Sequence, residues 1–187
     1  EDTVLAMKAL GLGRSCIIGY SQGGMIAQVI GIRHPEMIDR LMLGATMARQ
    51  NETAQEVIGG WLRMAKAGEL ISLVDDMVSR LYTEELIRKN HLYEFFRSNL
   101  PEQEDLHRFI CMAEAGIQFD VYDQLNSISA PVLVQGAWED RVVTAEASKE
   151  IAEKLGCELV LYKGYQHAVF DESDAFLQKT YDFFVSQ

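Results

Sequence analysis

Gly19-Tyr20-Ser21-Gln22-Gly23 decides the reading of this chain. It follows the short apolar run Ser15 to Ile18 and precedes a helical pattern that starts near Met25. A serine on a tight strand-to-helix turn is forced into a strained backbone conformation that pushes its hydroxyl clear of the sheet. The turn brings neighbouring backbones close together, so the flanking positions must be very small, which Gly19 and Gly23 satisfy. The helix that follows points its positive end at the same spot, where negative charge on a reacting oxygen develops. Glycine and serine are common in loops, so the strand before and the helix after carry more weight than the five letters.

A serine hydroxyl is a poor nucleophile at neutral pH. It needs a base, normally histidine, and the base needs an acid to fix its tautomer. On a turn of this kind the chain order is serine, then acid, then histidine. Four histidines are present: His34, His91, His107 and His167. His34 precedes Pro35, where the helix after the turn must end, so it lies far from the serine. His91 and His107 sit among charged residues in helical stretches and read as solvated. His167 follows the apolar run Leu159 to Tyr162 and the turn Lys163-Gly164, and precedes the last helix. That is the profile of a base on a loop past a strand's carboxyl end. For the acid, Pro131 opens a strand, Val132 to Gln135 form it, and Gly136 breaks it. Glu139 and Asp140 then fall on the loop beyond. A helix starts soon after, with Thr144 as N-cap and Glu146 in its first turn. Asp171 and Asp174 read as belonging to the start of the last helix.

The order Ser21, Asp140, His167 resembles the α/β-hydrolase family. Gly-Tyr-Ser-Gln-Gly-Gly is similar to the family's nucleophile turn. Pro-Val-Leu-Val-Gln-Gly-x-x-Glu-Asp is similar to its acid-bearing strand and loop, and the resemblance selects Asp140 over Glu139. Gly-Tyr-Gln-His-Ala is similar to the histidine loop. Within the family the chain looks most similar to small bacterial esterases and 3-oxoadipate enol-lactonase-like proteins, from its first residues to its last. The resemblance implies a mostly parallel α/β sheet with a helical cap insertion, and a backbone N–H of Gln22 that binds the oxyanion. It implies no cofactor and no metal.

The departure is at the amino end. Family members carry further strands and helices before the helix that leads into the nucleophile turn. Here that helix, Thr3 to Leu10, opens the chain. The absent part normally holds the loop that donates the second oxyanion hydrogen bond. The strands that remain, Ser15–Gly19, Arg40–Gly44, Val132–Gln135 and Glu158–Tyr162, are expected side by side. The first then has one bare flank, built from Cys16, Ile17 and Ile18. Parallel strands belong in sheet interiors, and an exposed apolar edge is a template for pairing. The expectation is that an amino-terminal segment or a second copy pairs with strand Ser15–Gly19.

Residues from about Met47 to Asn126 show no strand pattern. They read as amphipathic helices, Glu52–Ala67, Leu70–Leu81, Glu84–Ser98 and Gln103–Ala115, separated by Gly68, Thr83 and Pro101. The chain therefore divides into core (1–46), helical cap (47–126) and core carrying acid and histidine (127–187). Trp61, Met64, Met77, Phe95, Phe96, Phe109 and Met112 are candidate pocket linings, though most apolar residues in such helices only pack.

Composition agrees with a globular domain: 48% of residues are hydrophobic and 24% charged. A net charge of −11 argues against nucleic acid or an anionic membrane as partner. Cys16, Cys111 and Cys157 have no metal-ligand spacing and read as thiols in a reducing cytoplasm. The expected activity is hydrolysis of a small carboxylic ester or lactone through Ser21, His167 and Asp140 by way of an acyl-enzyme. The alternatives are a related thioesterase, perhydrolase or carbon–carbon hydrolase, or a non-catalytic ligand-binding or interaction domain on the same fold.

Overall fold

The computed structural model describes residues 1–185. The last two residues of the expected 127–187 segment lie outside them. Helix α1 (Asp2–Ala9) leads into strand β1 (Ser15–Tyr20), helix α2 (Gln22–Arg33), a short 3-10 turn (Pro35–Met37) and strand β2 (Ile38–Gly44). Five helices follow before the next strand: α3 (Glu52–Ala67), α4 (Leu70–Leu81), α5 (Glu84–Lys89), α6 (Leu92–Ser98) and α7 (Gln103–Ile117). After a second 3-10 turn (Tyr122–Ser127) come β3 (Val132–Ala137), α8 (Thr144–Leu155) and β4 (Glu158–Tyr162). The chain closes with α9 (Val169–Glu172) and α10 (Asp174–Val185).

The four strands form one parallel sheet in the order β1-β2-β3-β4. Side chains alternate between its faces, as the pleat requires. Leu41, Leu43 and Val134 point to one face and pack with Ala27 and Ile30 of α2 and Ile151 of α8. Met42 and Leu133 point to the other and pack with Phe176 of α10 and Val169 of α9. All of these are buried. Each such side chain contributes about 1.5–3 kcal/mol by leaving water. The second face also buries a polar group. Gln135 is fully buried, and its amide donates to Thr180 Oγ1 at 2.7 Å while its carbonyl oxygen accepts from the Tyr162 hydroxyl at 2.6 Å. A buried amide left unpartnered costs about 1–3 kcal/mol, so these bonds fix α10 to β3 and β4.

Among the described residues β1 pairs with β2 alone, and its other edge is bare. Cys16 is exposed, and Ile18 is 47% exposed on the face that α10 covers at the other strands. Leu5 of α1, Leu10 just after it and Ile26 of α2 are exposed apolar residues as well.

Three local expectations change. The stretch 84–98 is two helices, because His91 adopts a left-handed conformation (φ 49°) between them. The break folds α6 back, so that Leu92, Tyr93 and Phe96 pack on Val74, Val78 and Ile87. Gly136 does not end β3, which continues to Ala137. It is small because a Cβ there would meet Ser148 Oγ at 2.6 Å, where α8 lies close on the sheet. The cap of α8 is Val143 rather than Thr144.

The nucleophile turn is crowded at Gly19, as expected, but its second tight position is not Gly23. A Cβ on Gly19 would meet the Gly23 carbonyl oxygen at 2.6 Å and the Gly24 Cα at 2.7 Å. Gly23 itself faces open space, and the tight position is Gly24, where a Cβ would meet the Thr46 side chain at 2.6 Å. Thr46 is buried and cannot swing aside, since its hydroxyl donates to the Ser21 carbonyl at 2.7 Å. Gly24→Ala should therefore destabilise the fold by about 1–3 kcal/mol. In a thermal melt that is a fall of about 2–4 °C per kcal/mol. Gly23→Ala should leave the midpoint unchanged or slightly higher, because alanine favours the helix.

Candidate active site

In a parallel sheet the loops after every strand emerge at one rim, which is where such sheets bind ligands. Ser21 follows β1 directly, Asp140 lies on the loop after β3, and His167 lies on the loop after β4. Shared strand direction thus brings together residues that are 146 and 27 positions apart.

Ser21 sits at φ 48°, ψ −120°. This conformation is strained for a residue with a side chain and persists only where its surroundings enforce it. The enforcement is visible. The Ser21 N–H donates to the Gly44 carbonyl of β2, and the Ser21 carbonyl accepts from Gly24 N–H and the Thr46 hydroxyl. Gln22 opens α2, so its N–H has no carbonyl one turn back to bond.

His167 Nε2 lies 2.8 Å from Ser21 Oγ, and His167 Nδ1 lies 2.8 Å from Asp140 Oδ2. His167 is 2% exposed and Asp140 7%. The other carboxylate oxygen, Oδ1, accepts the N–H groups of Val142 and Val143 at 2.8 and 3.0 Å. Burial alone pushes the Asp140 carboxyl up. The His167 imidazole beside it, its hydrogen bond and the two backbone N–H groups outweigh burial and hold Asp140 below the usual carboxylate range. An ionised carboxylate only accepts, which assigns the Nδ1 proton to the Asp140 side and leaves Nε2 to accept from Ser21.

The three loops are bound to each other and to the five-helix insert. Glu139, the rival acid, accepts the Gly164 N–H at 2.9 Å and so ties the acid loop to the histidine loop. Arg141 donates to the Gln166 side chain at 3.1 Å and also to the Ser79 carbonyl of α4. The insert also bonds each loop directly. Gln22 Nε2 donates to the Met112 carbonyl at 2.8 Å, Asn51 Nδ2 to the Val143 carbonyl at 2.8 Å, and Ala168 N–H to the Leu81 carbonyl at 2.8 Å. The Phe170 ring stacks on Tyr20 at 4.5 Å, beneath the imidazole.

The remaining histidines lie elsewhere. His34 pairs with Glu1 and Glu36, and His91 and His107 are exposed. Asp171 falls in α9 and Asp174 in the first turn of α10. Among the described residues no group of three or more His, Cys, Asp or Glu is placed to hold a metal ion, and no helix is long and apolar enough to cross a membrane.

A cavity of about 290 Å³ opens over Ser21 and His167. Trp61, Met77, Phe109 and Met112 line it, as expected of the insert. Met64 packs beside them in the insert core, while Phe95 and Phe96 face each other away from the cavity. Met25, Val142, Val143 and Phe170 line it from the sheet side. Arg141 and the core-side linings carry no local sequence signal, since their roles come from chain segments far away.

A family model described as serine aminopeptidase, S33, matches residues 6–174. RutD of Caulobacter sp. (strain K31), a candidate carbamate hydrolase, is 25% identical over 159 residues. That match takes in 83% of this chain but 59% of RutD, so the chain spans less than two thirds of that relative's length. The enol-lactonase from Burkholderia xenovorans LB400 superposes with a TM-score of 0.87 at 24% identity, over 99% of this chain and 71% of the enzyme. The esterase EaEST from Exiguobacterium antarcticum gives 0.85 at 21% identity, over 99% and 72%. Likeness at these identities shows the fold, and the family match covers most of the chain. With a parallel sheet whose rim gathers a serine on a strained turn, a histidine and an aspartate, the chain belongs to the α/β-hydrolase family described as serine aminopeptidase, S33.

Proposed function

We propose that this chain carries the Ser21–His167–Asp140 triad of a serine hydrolase that cleaves a carboxylic ester or lactone. The pair of 2.8 Å contacts on the two nitrogens of His167 carries the proposal. Ser21 Oγ attacks the carbonyl carbon while its proton passes to His167 Nε2. The oxyanion that forms accepts from the Gln22 N–H at the positive end of α2. The carbon–oxygen bond then breaks, and His167 returns the proton to the leaving alkoxide. Water attacks the acyl-serine by the same route, which frees the acid and restores Ser21. Asp140 keeps the imidazole in one tautomer and stabilises its charged form. The five-helix insert serves as the cap that roofs the serine. The family match and the enol-lactonase and esterase folds support this reading. Free thiols at Cys16, Cys111 and Cys157 support the cytoplasm as its compartment.

The bare edge of β1 belongs to the same proposal. A further strand, from an amino-terminal segment or a second copy, satisfies its unpaired groups and covers Ile18. The chain by itself should self-associate in sedimentation, and Ile18→Lys should reduce that. A wild-type chain that stays monomeric and soluble contradicts the edge pairing.

For the chemistry, Ser21→Ala should lower kcat for p-nitrophenyl ester hydrolysis by about 10⁴-fold or more, and Asp140→Asn by about 10³–10⁴-fold. Unchanged turnover in Ser21→Ala sinks the proposal.

Asp140 also predicts a pH dependence of stability. Its folded pKa is depressed. Its ionised form therefore stabilises the fold fully above the unfolded value of about 3.9, and that stabilisation is lost as pH falls through the lower folded value. In denaturant titrations the stability gap between wild type and Asp140→Asn should hold steady between about pH 5 and 7 and close below about pH 4.

A further inference from the structure

The cavity over Ser21 has an uneven chemistry. Its polar side chains are Ser21, Gln22 and His167, of which Ser21 Oγ and His167 Nε2 lie 2.8 Å apart. The rest of the wall is aliphatic or aromatic, and among the described residues no Lys, Arg, Asp or Glu lines it. Two of the possible polar exceptions are already engaged. The indole N–H of Trp61 donates to Asp76 Oδ2 at 2.7 Å, so the ring, not the N–H, serves the cavity. The side-chain amide of Gln22 is bound to the Met112 carbonyl. Behind that wall, Asp140 is bound to His167, Val142 and Val143, and Asp76 is matched by Arg80, whose Nε donates at 2.8 Å to the oxygen that accepts from Trp61. Glu114, next to the lining residue Ala113, pairs with Lys66 at 2.6 Å.

A charged group inside this wall would lose its water and find no counter-charge. Such a loss costs several kcal/mol even after relaxation. A substrate amino terminus would need a carboxylate here, and a substrate carboxylate would need a cation. Apolar atoms gain on entering, at a rate set by the area they bury.

We propose that the site selects esters whose acyl part is uncharged and apolar, of short to medium length, and rejects acyl groups that end in a carboxylate or an ammonium. This inference rests on the serine-hydrolase reading and adds the substrate class. The cavity is formed by Met25 and Val142 from the sheet side and by Trp61, Met77, Phe109 and Met112 from the insert. The charge filter is therefore shared by core and insert.

The test compares p-nitrophenyl hexanoate with mono-p-nitrophenyl glutarate on the wild-type protein, both corrected for spontaneous hydrolysis. The neutral ester should have a kcat/KM higher by about 100-fold or more. Along acetate, butyrate and hexanoate each added methylene should raise kcat/KM by about fourfold until the cavity is full. Comparable kcat/KM for hexanoate and glutarate overturns the charge filter and leaves the hydrolase reading standing. Hydrolysis of neither ester sinks the hydrolase reading, and binding then decides the filter. In Ser21→Ala, quenching of Trp61, one of two tryptophans and the one in the cavity wall, reports ligand entry. Hexanamide should bind at least about tenfold more tightly than glutaramate. Equal affinities overturn the inference.

Discussion

The imidazole of His167 is held at both nitrogens, and each hold comes from the end of a different strand. Everything else in the molecule serves to keep those two 2.8 Å contacts in place. The sheet supplies the common rim. Gly19 and Gly24 let α2 approach so closely that Ser21 must take its strained conformation. Asp140 is oriented by two backbone N–H groups on one oxygen, which leaves the other free to face the ring. The buried carboxylate is tolerable because every one of these partners favours its charge.

The insert is the second level of support. It is fastened to the serine and histidine loops through Met112 and Leu81, and to the acid loop twice, through Asn51 and Ser79. Thr83 and Glu172 add a further bond of 2.5 Å between the insert and α9. The insert is thus joined to all three loops that carry Ser21, Asp140 and His167. The same insert supplies most of the apolar wall, with Ile58, Trp61, Met77, Leu81, Phe109, Met112 and Ala113, so the groups that brace the loops also shape the cavity.

Much of this was legible in the residues. Ser21, His167 and the acid loop could be nominated because each stands on a turn marked by glycine after an apolar run, and turn chemistry is local, while the family resemblance was needed to choose Asp140 over Glu139. The helices of the insert could be bounded where Gly68 and Pro101 interrupt the apolar period. What stayed hidden was decided by distant contacts. Nothing near His91 marks a break, since the helical period runs through it, and the fold of α6 onto Val74 and Val78 sets it. Gly136 looks like a strand end until Ser148 is seen against it. Gly23 and Gly24 are equivalent as letters, and only Thr46, from the next strand's loop, tells them apart. Arg141 shows no pattern, because its partners lie 25 and 62 residues away.

The most direct measurement is labelling with a fluorophosphonate, followed by mass spectrometry of the peptide that contains Ser21. A serine aligned with a buried imidazole is activated toward phosphorus as it is toward a carbonyl, and an ordinary hydroxyl is not. The account predicts a single covalent adduct on Ser21 that disappears in His167→Ala. A folded protein whose Ser21 stays unmodified, or is modified equally without His167, contradicts it.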